Sequence, residues 1–552
     1  MPIGSKLQDV VSELRDPRVR QMLFLPLTLP LALRQFLRDR PTLEGERQQL
    51  QRALANREQR FLALVCDCVY TNPDSPYKKL LDHAGCELGD IAAALDDSGL
   101  EETLRTLARA GVYLMPGEYK GREEVRRGSL SFRIHPKDLA PPARRGSALG
   151  IHHTSGSTGG PRRNVSTFDW WRKEALGYAS FFEAHDLLST RLAPYEPMLG
   201  SHAGGVIFAL LVARLGTPID RWFARPAPIN NWLEGLFYRL TAQEFAWAAT
   251  CFGPGYARPE LVPITELDRI VHWIDECRKT NATPCIRTVA SNAVRIAQTA
   301  KKMGATLEGC KFVLSGEPIS TAKRQAIEKL GGSLTLIWGY WPIGTSGVGC
   351  ARPAHGDETH VFLHTLAVIE HPEPVVKIGG QEIHPVLFTT LYSCAAQMEI
   401  NVSNGDQAIL SDRDCGCPLQ EVGLTLHAHN ISSFEKLTSE GLAFSIDELY
   451  ELLETTLPDR FGGEIGDYQL VEEEGGGGQS RITLLVDPNV GPIDDAALLD
   501  FLTAALASGS RNKRFMARVW QEAGTLRVRR QAPIASARGE VLHLRMTANS
   551  SN

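Results

Sequence analysis

The chain lacks an apolar run long enough to cross a bilayer, and it lacks a large excess of charge of either sign. Its most apolar stretch, Met22 to Leu33, has 12 residues, two of them proline, and lies between two arginines. A membrane-spanning helix needs about 20 apolar residues. Lys and Arg total 59 against 64 Asp and Glu, a formal net charge of -5. We therefore expect no membrane span and no nucleic acid as the main partner.

A secretion signal and a disulfide framework are also missing from the sequence. No basic segment followed by an apolar core and a small-residue cleavage site opens the chain, so we expect a cytoplasmic protein. The 11 cysteines are an odd number in a large chain, which favours reduced thiols and a metal site over disulfides. The oligomeric state is open, with a homodimer as one alternative.

The spacing of apolar residues divides the chain into three regions. Residues 1–147 are mainly helical in pattern, with apolar residues three and four apart in FLALVCDCVY and LEETLRTLARAGVYL. Residues 148–429 alternate between strand and helix patterns, which predicts an α/β domain with a buried sheet. Residues 430–552 predict a small α+β domain, in which two strands flank a GGGG loop.

The segment HHTSGSTGGPRR, His152 to Arg163, is dominated by Gly, Ser and Thr. Glycines let a backbone approach a ligand and turn its amides toward it, and hydroxyl groups add further donors, so this composition suits a polyphosphate. The spacing fits neither the P-loop nor the dinucleotide-binding fingerprint. By composition alone, a flexible turn is the alternative.

Several segments together resemble one enzyme family. TSGSTGGP, residues 154–161, resembles the phosphate-binding loop of adenylate-forming enzymes, the superfamily of acyl-CoA synthetases, luciferase and peptide-synthetase adenylation domains. NPDSPYKKLLDHAGCELGDI, LSGEPIS and SNGDQ resemble, in the same order along the chain, segments of its phenylacetate-CoA ligase branch. No resemblance is found for residues 1–60.

This resemblance implies a fold and a reaction. The expected fold class is α/β: a large N-terminal adenylate-forming domain with a helical N-terminal region, an AMP-binding α/β core, and a small mobile α+β C-terminal domain. The implied activity is ATP-dependent ligation of a small carboxylic acid, aryl or acyl. ATP with Mg²⁺ would give an acyl-adenylate, and the acyl group would then pass to CoA or another acceptor.

The resemblance also implies the nucleotide-binding residues. Those that would cradle the β- and γ-phosphates are Thr154, Ser155, Gly156, Ser157, Thr158, Gly159 and Gly160. Arg162 stands where the family commonly has a catalytic Lys, which keeps a cation in that place. The adenine pocket would be lined by Gly316, Glu317 and Pro318, and Asp406 would accept hydrogen bonds from the ribose.

The strand that carries the magnesium-binding Glu in the family corresponds to WGYWPIGTSG. If Trp338 and Gly339 match the family's aromatic-Gly pair and contact the nucleotide, Pro342 occupies the position of the Glu. In the alternative register, Ser346 supplies the catalytic hydroxyl and Gly347 occupies that position. The carboxylate is absent in both registers, although Mg²⁺ needs few protein ligands and can enter on ATP.

Two further residues of the family pattern are replaced. Near the C-terminus, Glu540 stands at the catalytic position of the closing Lys, where an acid would repel the carboxylate and phosphate. Lys513 and Arg538 are the alternatives for that role. At the hinge, residues 430–435 match the family's Gly-Arg-Ser-Asp-Asp segment only loosely, and the Arg is missing.

A structural Zn²⁺ site is implied by a second group of residues. The C-x-C pair Cys415 and Cys417 resembles the Cys-x-Cys-Gly segment of phenylacetate-CoA ligase relatives, with Cys350 and His360 in the segment after the magnesium strand. Three thiolates and one imidazole would complete a tetrahedral site with no open position, which is structural in type. His355 is the competing imidazole, and buried free thiols are the alternative.

The acid pocket is the least defined site. LAPYEPMLGSHAGG lies where the family binds its acyl substrate, and Tyr195 and His202 are the candidate contacts, with ordinary packing as the alternative. Three functions are therefore open: an acid-activating ligase, a diverged nucleotide- or acyl-binding homologue that lacks adenylation activity, and an acyltransferase that uses a pre-activated donor.

Overall fold

The computed structural model covers most of the chain. It describes residues 30–140, 148–153, 163–197, 204–226, 232–340, 343–374, 376–378, 381–434, 436–439, 442–445, 449, 452–464, 466–475, 479–508, 517, 520–521, 523–534 and 544–546. Among these residues, none of the helices combines the length and apolarity that a membrane crossing requires.

Helices dominate the N-terminal region and alternate with strands after it. In chain order they are α1 (30–38), α2 (Leu43–Ala55), α3 (Arg57–Val65), α4 (Pro76–His83), α5 (Leu88–Arg109), α6 (Pro116–Tyr119), α7 (Phe168–Ala184), α8 (Gly204–Arg214), α9 (Trp232–Phe252), α10 (Asp268–Lys279), α11 (Ala290–Lys302), α12 (Thr321–Glu328), α13 (Pro418–Glu421), α14 (Leu457–Phe461) and α15 (Asp495–Ala507).

The strands begin with two hairpins and end in a small C-terminal sheet. They are β1 (Val125–Arg127), β2 (Leu130–Phe132), β3 (Ala148–His153), β4 (Arg163–Thr167), β5 (Arg191–Pro197), β6 (Trp222–Arg225), β7 (Pro259–Leu261), β8 (Pro284–Val289), β9 (Lys311–Ser315), β10 (Ser333–Tyr340), β11 (Gly344–Gly349), β12 (Thr359–Val361), β13 (Leu366–Glu370), β14 (Val376–Ile378), β15 (Gln381–Ile383), β16 (Val386–Thr390), β17 (Val402–Ser403), β18 (Asp406–Asp412), β19 (Leu426–Ser433), β20 (Lys436–Ser439), β21 (Leu442–Ser445), β22 (Tyr468–Gly475), β23 (Gln479–Val486), β24 (Leu526–Arg530) and β25 (Leu544–Met546).

Ten strands form the large sheet, in the order β18-β19-β12-β11-β10-β9-β8-β5-β6-β7. The six strands from β10 to β7 are parallel, and the four from β18 to β11 pair antiparallel. This mixed α/β architecture confirms the predicted fold class. Because parallel strands share a direction, the carboxyl ends of β10, β9, β8, β5 and β6 meet at one edge, where ligands bind in open α/β sheets.

Both faces of the parallel half are buried by helices. In β5, Leu192 belongs to an apolar cluster that includes Phe181 of α7 and Phe208 of α8. The next residue, Ala193, belongs to a cluster on the other face, with Ile270 of α10 among its members. Alternate side chains of a strand point to opposite faces, so burial on both sides explains the continuous apolar runs of these strands.

The N-terminal helices pack on a second, three-stranded sheet. Strands β13, β16 and β17 form this sheet, and Ile369 and Leu387 join an apolar cluster with Phe61 of α3 and Leu104 of α5. The backbone N–H of Leu114 donates to Asn401 O at 3.0 Å. The helical region therefore shares a core with residues from the predicted central domain.

The C-terminal region contains its own sheet and core. Strands β24, β23, β22 and β25 form a four-stranded sheet, and Leu484, Leu502 and Trp520 belong to its apolar cluster. The predicted boundary at residue 430 falls inside β19, which continues to Ser433 in the large sheet. The division into 1–147, 148–429 and 430–552 stays a prediction.

The turn between β10 and β11 requires glycine at residue 344. Gly344 has a φ of 81°, and a Cβ built on it would lie 2.1 Å from Oε1 of Glu174. Gly304 has a φ of 66° but no atom within 4 Å of such a Cβ. It therefore provides a matched control that has the backbone strain without the steric clash.

We expect Gly344→Ala to destabilise the protein more than Gly304→Ala. The control should cost about 1 kcal/mol, because it adds only left-handed strain. Gly344→Ala should cost about 2–4 kcal/mol, because overpacking adds to that strain. Thermal unfolding followed by circular dichroism measures both, and equal melting temperatures for the two variants would contradict the packing of Glu174 against this turn.

Candidate nucleotide and metal sites

The turn after β9 presents part of the predicted adenine site. Gly316 and Pro318 are exposed, whereas the Glu317 side chain has no exposed surface. The Glu317 carboxylate accepts a hydrogen bond from Ser291 Oγ at 2.6 Å and lies 3.3 Å from Lys323 Nζ. Two residues of the predicted turn are therefore accessible, while the third anchors the turn to the neighbouring helices.

Asp406, the predicted ribose ligand, is held in a fixed orientation beside β10. Trp338 Nε1 donates to Asp406 Oδ2 at 3.1 Å, and Asn404 Nδ2 donates to the same oxygen at 2.9 Å. The Asp406 N–H donates back to Asn404 Oδ1 at 2.9 Å. Asp406 is half-buried, and within the described part of the chain its other oxygen accepts no hydrogen bond. That oxygen is available to a ligand hydroxyl.

The other predicted nucleotide-site residues lie on β10 and β11, and they differ in their exposure. Gly339 is exposed near the end of β10, and Trp338 beside it is buried. Ser346 is fully buried in β11, and its Oγ has no hydrogen-bond partner among the described residues. This burial gives no support to Ser346 as a catalytic hydroxyl, and its role stays a prediction.

A buried carboxyl group does contact this strand pair, but it is not placed to bind magnesium. Glu174 of α7 accepts from the Thr345 N–H at 2.8 Å and from Thr345 Oγ1 at 3.0 Å. Burial raises the pKa of Glu174 to about 8. Because the group is fully enclosed and holds its proton at neutral pH, it does not replace the carboxylate that the family pattern places on this strand.

The predicted zinc ligands converge in the antiparallel half of the sheet. His360 Nε2 lies 3.1 Å from Cys417 Sγ and 3.6 Å from Cys415 Sγ. Ligand atoms of Cys350, His360, Cys415 and His427 all lie within 4.8 Å of one another. A sulfur and a nitrogen in a tetrahedral zinc site lie about 3.6 Å apart, given bond lengths of about 2.3 and about 2.0 Å.

Neighbouring groups prepare these side chains for a cation. His360 Nδ1 lies 2.6 Å from Leu424 O, and donation to this carbonyl leaves Nε2 facing the thiols as a ligand atom. Arg413 Nη2 lies 3.6 Å from Cys350 Sγ. A hydrogen bond from Cys350 lowers the pKa of Cys417, which favours the thiolate that binds metal. The donor set fits Zn²⁺.

His427 was missing from the predicted ligand set. It pairs with His360 across β19 and β12, is fully buried, and its Nε2 lies 3.8 Å from Glu358 Oε1. His355, the predicted competitor, is exposed and stacks on His429 at 3.8 Å between ring centroids. The HAH pattern of residues 427–429 indicates two imidazoles on one strand face, but only the register of β19 shows that His427 faces the thiols.

Comparison by sequence identifies no family. No protein-family model matches the chain. Two curated proteins of Streptococcus pneumoniae, both called probable dihydroorotate dehydrogenase A (fumarate), are 30% identical to it over 84 residues, which is 14% of this chain and 27% of each relative. The chain thus spans about a quarter of the length of the curated relatives that it matches.

Comparison by structure extends over nearly the whole chain. A crystal structure of 2-hydroxyisobutyryl-CoA ligase in complex with 2-HIB-AMP and CoA matches with a TM-score of 0.51 and 16% identity, over 90% of this chain and 90% of the ligase. The chain has the adenylate-forming fold. A malonyl-CoA ligase complex with methylmalonyl-CoA and AMP matches at a TM-score of 0.41 and 13% identity, over 70% of this chain and 72% of that one.

Several predicted residues of this adenylate-forming fold lie outside the described residues. They are Thr154, Ser155, Gly156, Ser157, Thr158, Gly159, Gly160, Arg162, His202 and Glu540. The strands on either side of the glycine-hydroxyl loop are described: β3 and β4 pair antiparallel, with His153 opposite Arg163. The roles of the loop residues, His202 and Glu540 stay predictions.

Tyr195, the other predicted substrate contact, belongs to the core of the adenylate-forming fold. Its side chain is fully buried in β5, and its hydroxyl donates to Val262 O at 3.2 Å. This is the packing role that the sequence analysis gave as the alternative. The structure therefore offers no support for a contact between Tyr195 and a substrate.

We expect the stability of the protein to fall as the pH rises toward 8, in part because of Glu174. Its pKa is about 8 in the folded chain against 4.5 for an exposed Glu. The stabilisation is therefore complete below about pH 4.5 and is lost as the pH rises through about 8. Glu174→Gln does not titrate, so its melting temperature should depend less on pH between about 5 and about 8.

Glu183→Gln, on the same helix, is the matched control for this prediction. Glu183 is partly exposed and pairs with Arg47 at 2.9 Å. We expect this variant to follow the pH dependence of the wild type, as measured by thermal unfolding across the same buffers. If the melting temperature of Glu174→Gln showed the same pH dependence as the wild type, the buried carboxyl of Glu174 would not be the titrating group.

We expect the purified protein to contain about one zinc per chain. Cys415→Ser and His360→Ala should lower both the zinc content and the melting temperature, because removing a ligand opens a closed tetrahedral site. Cys394→Ser, at a cysteine outside the cluster, is the control. The same two measurements show whether Cys417 or His427 is the fourth ligand. Substitution of the true ligand should lower the zinc content, and substitution of the other residue should not. Stoichiometric zinc in Cys415→Ser would contradict the site.

Proposed function

We propose that the chain is an ATP-dependent carboxylic acid ligase that resembles phenylacetate-CoA ligase. A carboxylate oxygen of the acid would attack the α-phosphorus of ATP, and pyrophosphate would leave. A thiol, that of CoA or of another acceptor, would then attack the acyl carbon, and AMP would leave. A cytoplasmic location belongs to the same proposal, and the oligomeric state stays open.

One observation carries the nucleotide half of this proposal. Asp406 is oriented by Trp338 and Asn404 so that, among the described residues, one carboxylate oxygen accepts no hydrogen bond. Trp338 follows Ile337, which pairs with Ser315 just before the exposed turn of Gly316 and Pro318. A fixed acceptor beside an accessible turn suits the two hydroxyls of a ribose and the edge of a base. Positioning of this kind is the main contribution that an enzyme makes to phosphoryl transfer.

Each part of the nucleotide would contact a different set of residues. Asp406 would hold the ribose, the backbone at Gly316 and Pro318 would contact the base, and the loop of residues 154–160 with Arg162 would bind the β- and γ-phosphates. Mg²⁺ would neutralise phosphate charge. A bound zinc would have a structural role. Its ligands Cys350, His360 and Cys415 lie after β11, in β12 and after β18, so the ion would link these three segments.

A second function is favoured by the replaced residues. Pro342 or Gly347 stands at the magnesium carboxylate, and Glu540 stands at the closing Lys. Glu174, the buried carboxyl at this strand pair, is neutral and enclosed. A binding protein that retains the nucleotide site, or an acyltransferase that begins from an activated donor, needs neither missing group.

Pyrophosphate release distinguishes these functions. With ATP, Mg²⁺ and a panel of aryl and aliphatic acids, we expect acid-dependent release by the wild type. Asp406→Asn should weaken ATP binding about 10-fold, because the loss of a charged acceptor costs about 1.5 kcal/mol or more. Asp412→Asn, at the exposed end of the same strand, is the control and should bind ATP normally.

Glu540→Lys completes the test by restoring the family's cation. If the chain is the proposed ligase, the wild type releases pyrophosphate, and calorimetry detects ATP binding to both the wild type and Glu540→Lys. Release by Glu540→Lys alone, with ATP bound by both, would establish the binding protein instead. If neither the wild type nor Glu540→Lys bound ATP, the proposed nucleotide site would be contradicted.

A further inference from the structure

A buried arginine next to the adenine turn contacts the strands on both of its sides. Arg287 of β8 is 4% exposed, and the register aligns it with Pro194 of β5 and Val313 of β9. Its guanidinium extends to the second residue beyond each partner. Nη1 lies 3.0 Å from Glu196 Oε1, and Nη2 donates to Ser315 Oγ at 2.5 Å. One side chain therefore joins three adjacent strands near their carboxyl ends.

The adenine turn, residues 316–318, is attached on both sides of its glycine. Ser315, which precedes the turn, accepts the hydrogen bond from the guanidinium. Glu317, which follows the glycine, accepts from Ser291 Oγ at 2.6 Å. Gly316 itself has a φ of 80°, in the left-handed region that few other residues adopt. Side chains from β8 and α11 thus fix an exposed backbone of unusual conformation.

The guanidinium is itself held in one orientation. Glu196 Oε1 faces Arg287, while Glu196 Oε2 accepts from the Gly205 N–H at 2.6 Å. Arg287 Nη1 also donates to Thr288 O at 2.9 Å and to Val313 O at 3.3 Å. Because the donors of a guanidinium form a rigid planar fork, these contacts also set the direction in which Nη2 points.

Stability alone is a weak explanation for this buried ion pair. Removing two charges from water is costly, and apolar side chains of similar volume often replace such a pair without loss of stability. An apolar side chain could not donate to Ser315, however. A directed hydrogen bond to the residue before the turn is what Arg287, oriented by Glu196, adds to the packing of this region.

We propose that Arg287 is a positioning residue for the nucleotide, which acts through Ser315 to fix the conformation of the adenine turn. This inference rests on the nucleotide site of the proposed function. Because Arg287 is buried, it acts on the nucleotide only through the turn. A turn that is fixed before binding loses less conformational freedom on binding, and it presents its backbone groups to the edge of one base. Arg287 should therefore affect both the affinity for ATP and the preference for ATP over GTP.

Arg287→Lys in the full chain is the first test. Lysine keeps a positive charge for Glu196, but it has no fork that contacts Glu196 and Ser315 together. We expect calorimetry to show ATP binding that is about fivefold weaker or more, because a hydrogen bond from a charged donor is lost. The ratio of ATP affinity to GTP affinity should also fall, whereas a smaller fraction of folded protein would leave this ratio unchanged.

Ser315→Ala removes the other end of the same hydrogen bond. We expect it to weaken ATP binding by a similar factor. The double variant should bind ATP about as well as the weaker-binding single variant, because two residues that act through one contact have non-additive effects. If the two losses of affinity multiplied in the double variant, the contact between Arg287 and Ser315 would not be the route, and the positioning role would be overturned.

Arg214→Lys is the matched control. Arg214, the last residue of α8, is 5% exposed, and its Nη1 and Nη2 lie 3.0 Å from Glu46 Oε1 and 3.1 Å from Asp39 Oδ2. This variant loses the fork of an equally buried arginine that has no contact with the adenine turn. It should keep the ATP affinity and the ATP-to-GTP ratio of the wild type. Equal changes in Arg214→Lys and Arg287→Lys would mean that disturbed packing is the cause, and would overturn the positioning role.

Thermal unfolding gives a second readout. Addition of ATP should raise the melting temperatures of the wild type and of Arg214→Lys by more than that of Arg287→Lys. An equal increase for all three proteins would contradict the role of Arg287. If Arg287→Lys does not fold, Ser315→Ala carries the test, because it removes one hydroxyl from a half-buried residue and leaves the ion pair with Glu196 in place.

Failure of this inference can be told from failure of the proposed function. If Arg287→Lys and Ser315→Ala bound ATP as well as the wild type does, with the same ATP-to-GTP ratio, the positioning role would be overturned and the nucleotide site retained. A wild type that bound ATP and GTP equally would contradict the contact between the turn and the base. A wild type that bound neither would contradict the nucleotide site of the proposed function itself.

Discussion

The parallel hydrogen-bond ladder from β10 through β9, β8 and β5 to β6 is the constraint on which the nucleotide side of the sheet depends. Its register aligns Ile337 with Ser315, Ser315 with Val289, and Pro197 with Arg225. Loops that are far apart in the sequence therefore leave the sheet at one edge.

Buried charge is treated differently in the two halves of the large sheet. In the parallel half, Glu196 and Lys323 are each held against an opposite charge, and Glu174 is neutral. In the antiparallel half, the thiols of Cys350 and Cys415 meet the imidazoles of His360 and His427, with ligand atoms within 4.8 Å of one another.

The sequence predicted much of the architecture. The alternation of strand and helix patterns over residues 148–429 predicted an α/β domain with a buried sheet, because a strand buried on both faces has a continuous apolar run. The C-x-C pair with Cys350 and His360 was recognisable by resemblance to phenylacetate-CoA ligase relatives. Asp406 and Gly316 were recognisable by resemblance to loops of one enzyme family. Local sequence does not show that Tyr195 is held in the core by Val262, since this depends on two distant segments.

The amino-acid sequence by itself determined the class of the fold, the order of its elements and the residue types available for binding, because these follow from local periodicity and short motifs. The tertiary structure decided which of those residues meet. It brought His427 to the thiols, enclosed Ser346, and oriented Asp406 through Trp338. The physical reason is that strand order, register and burial are set by contacts between residues far apart in the chain, and no local pattern encodes them.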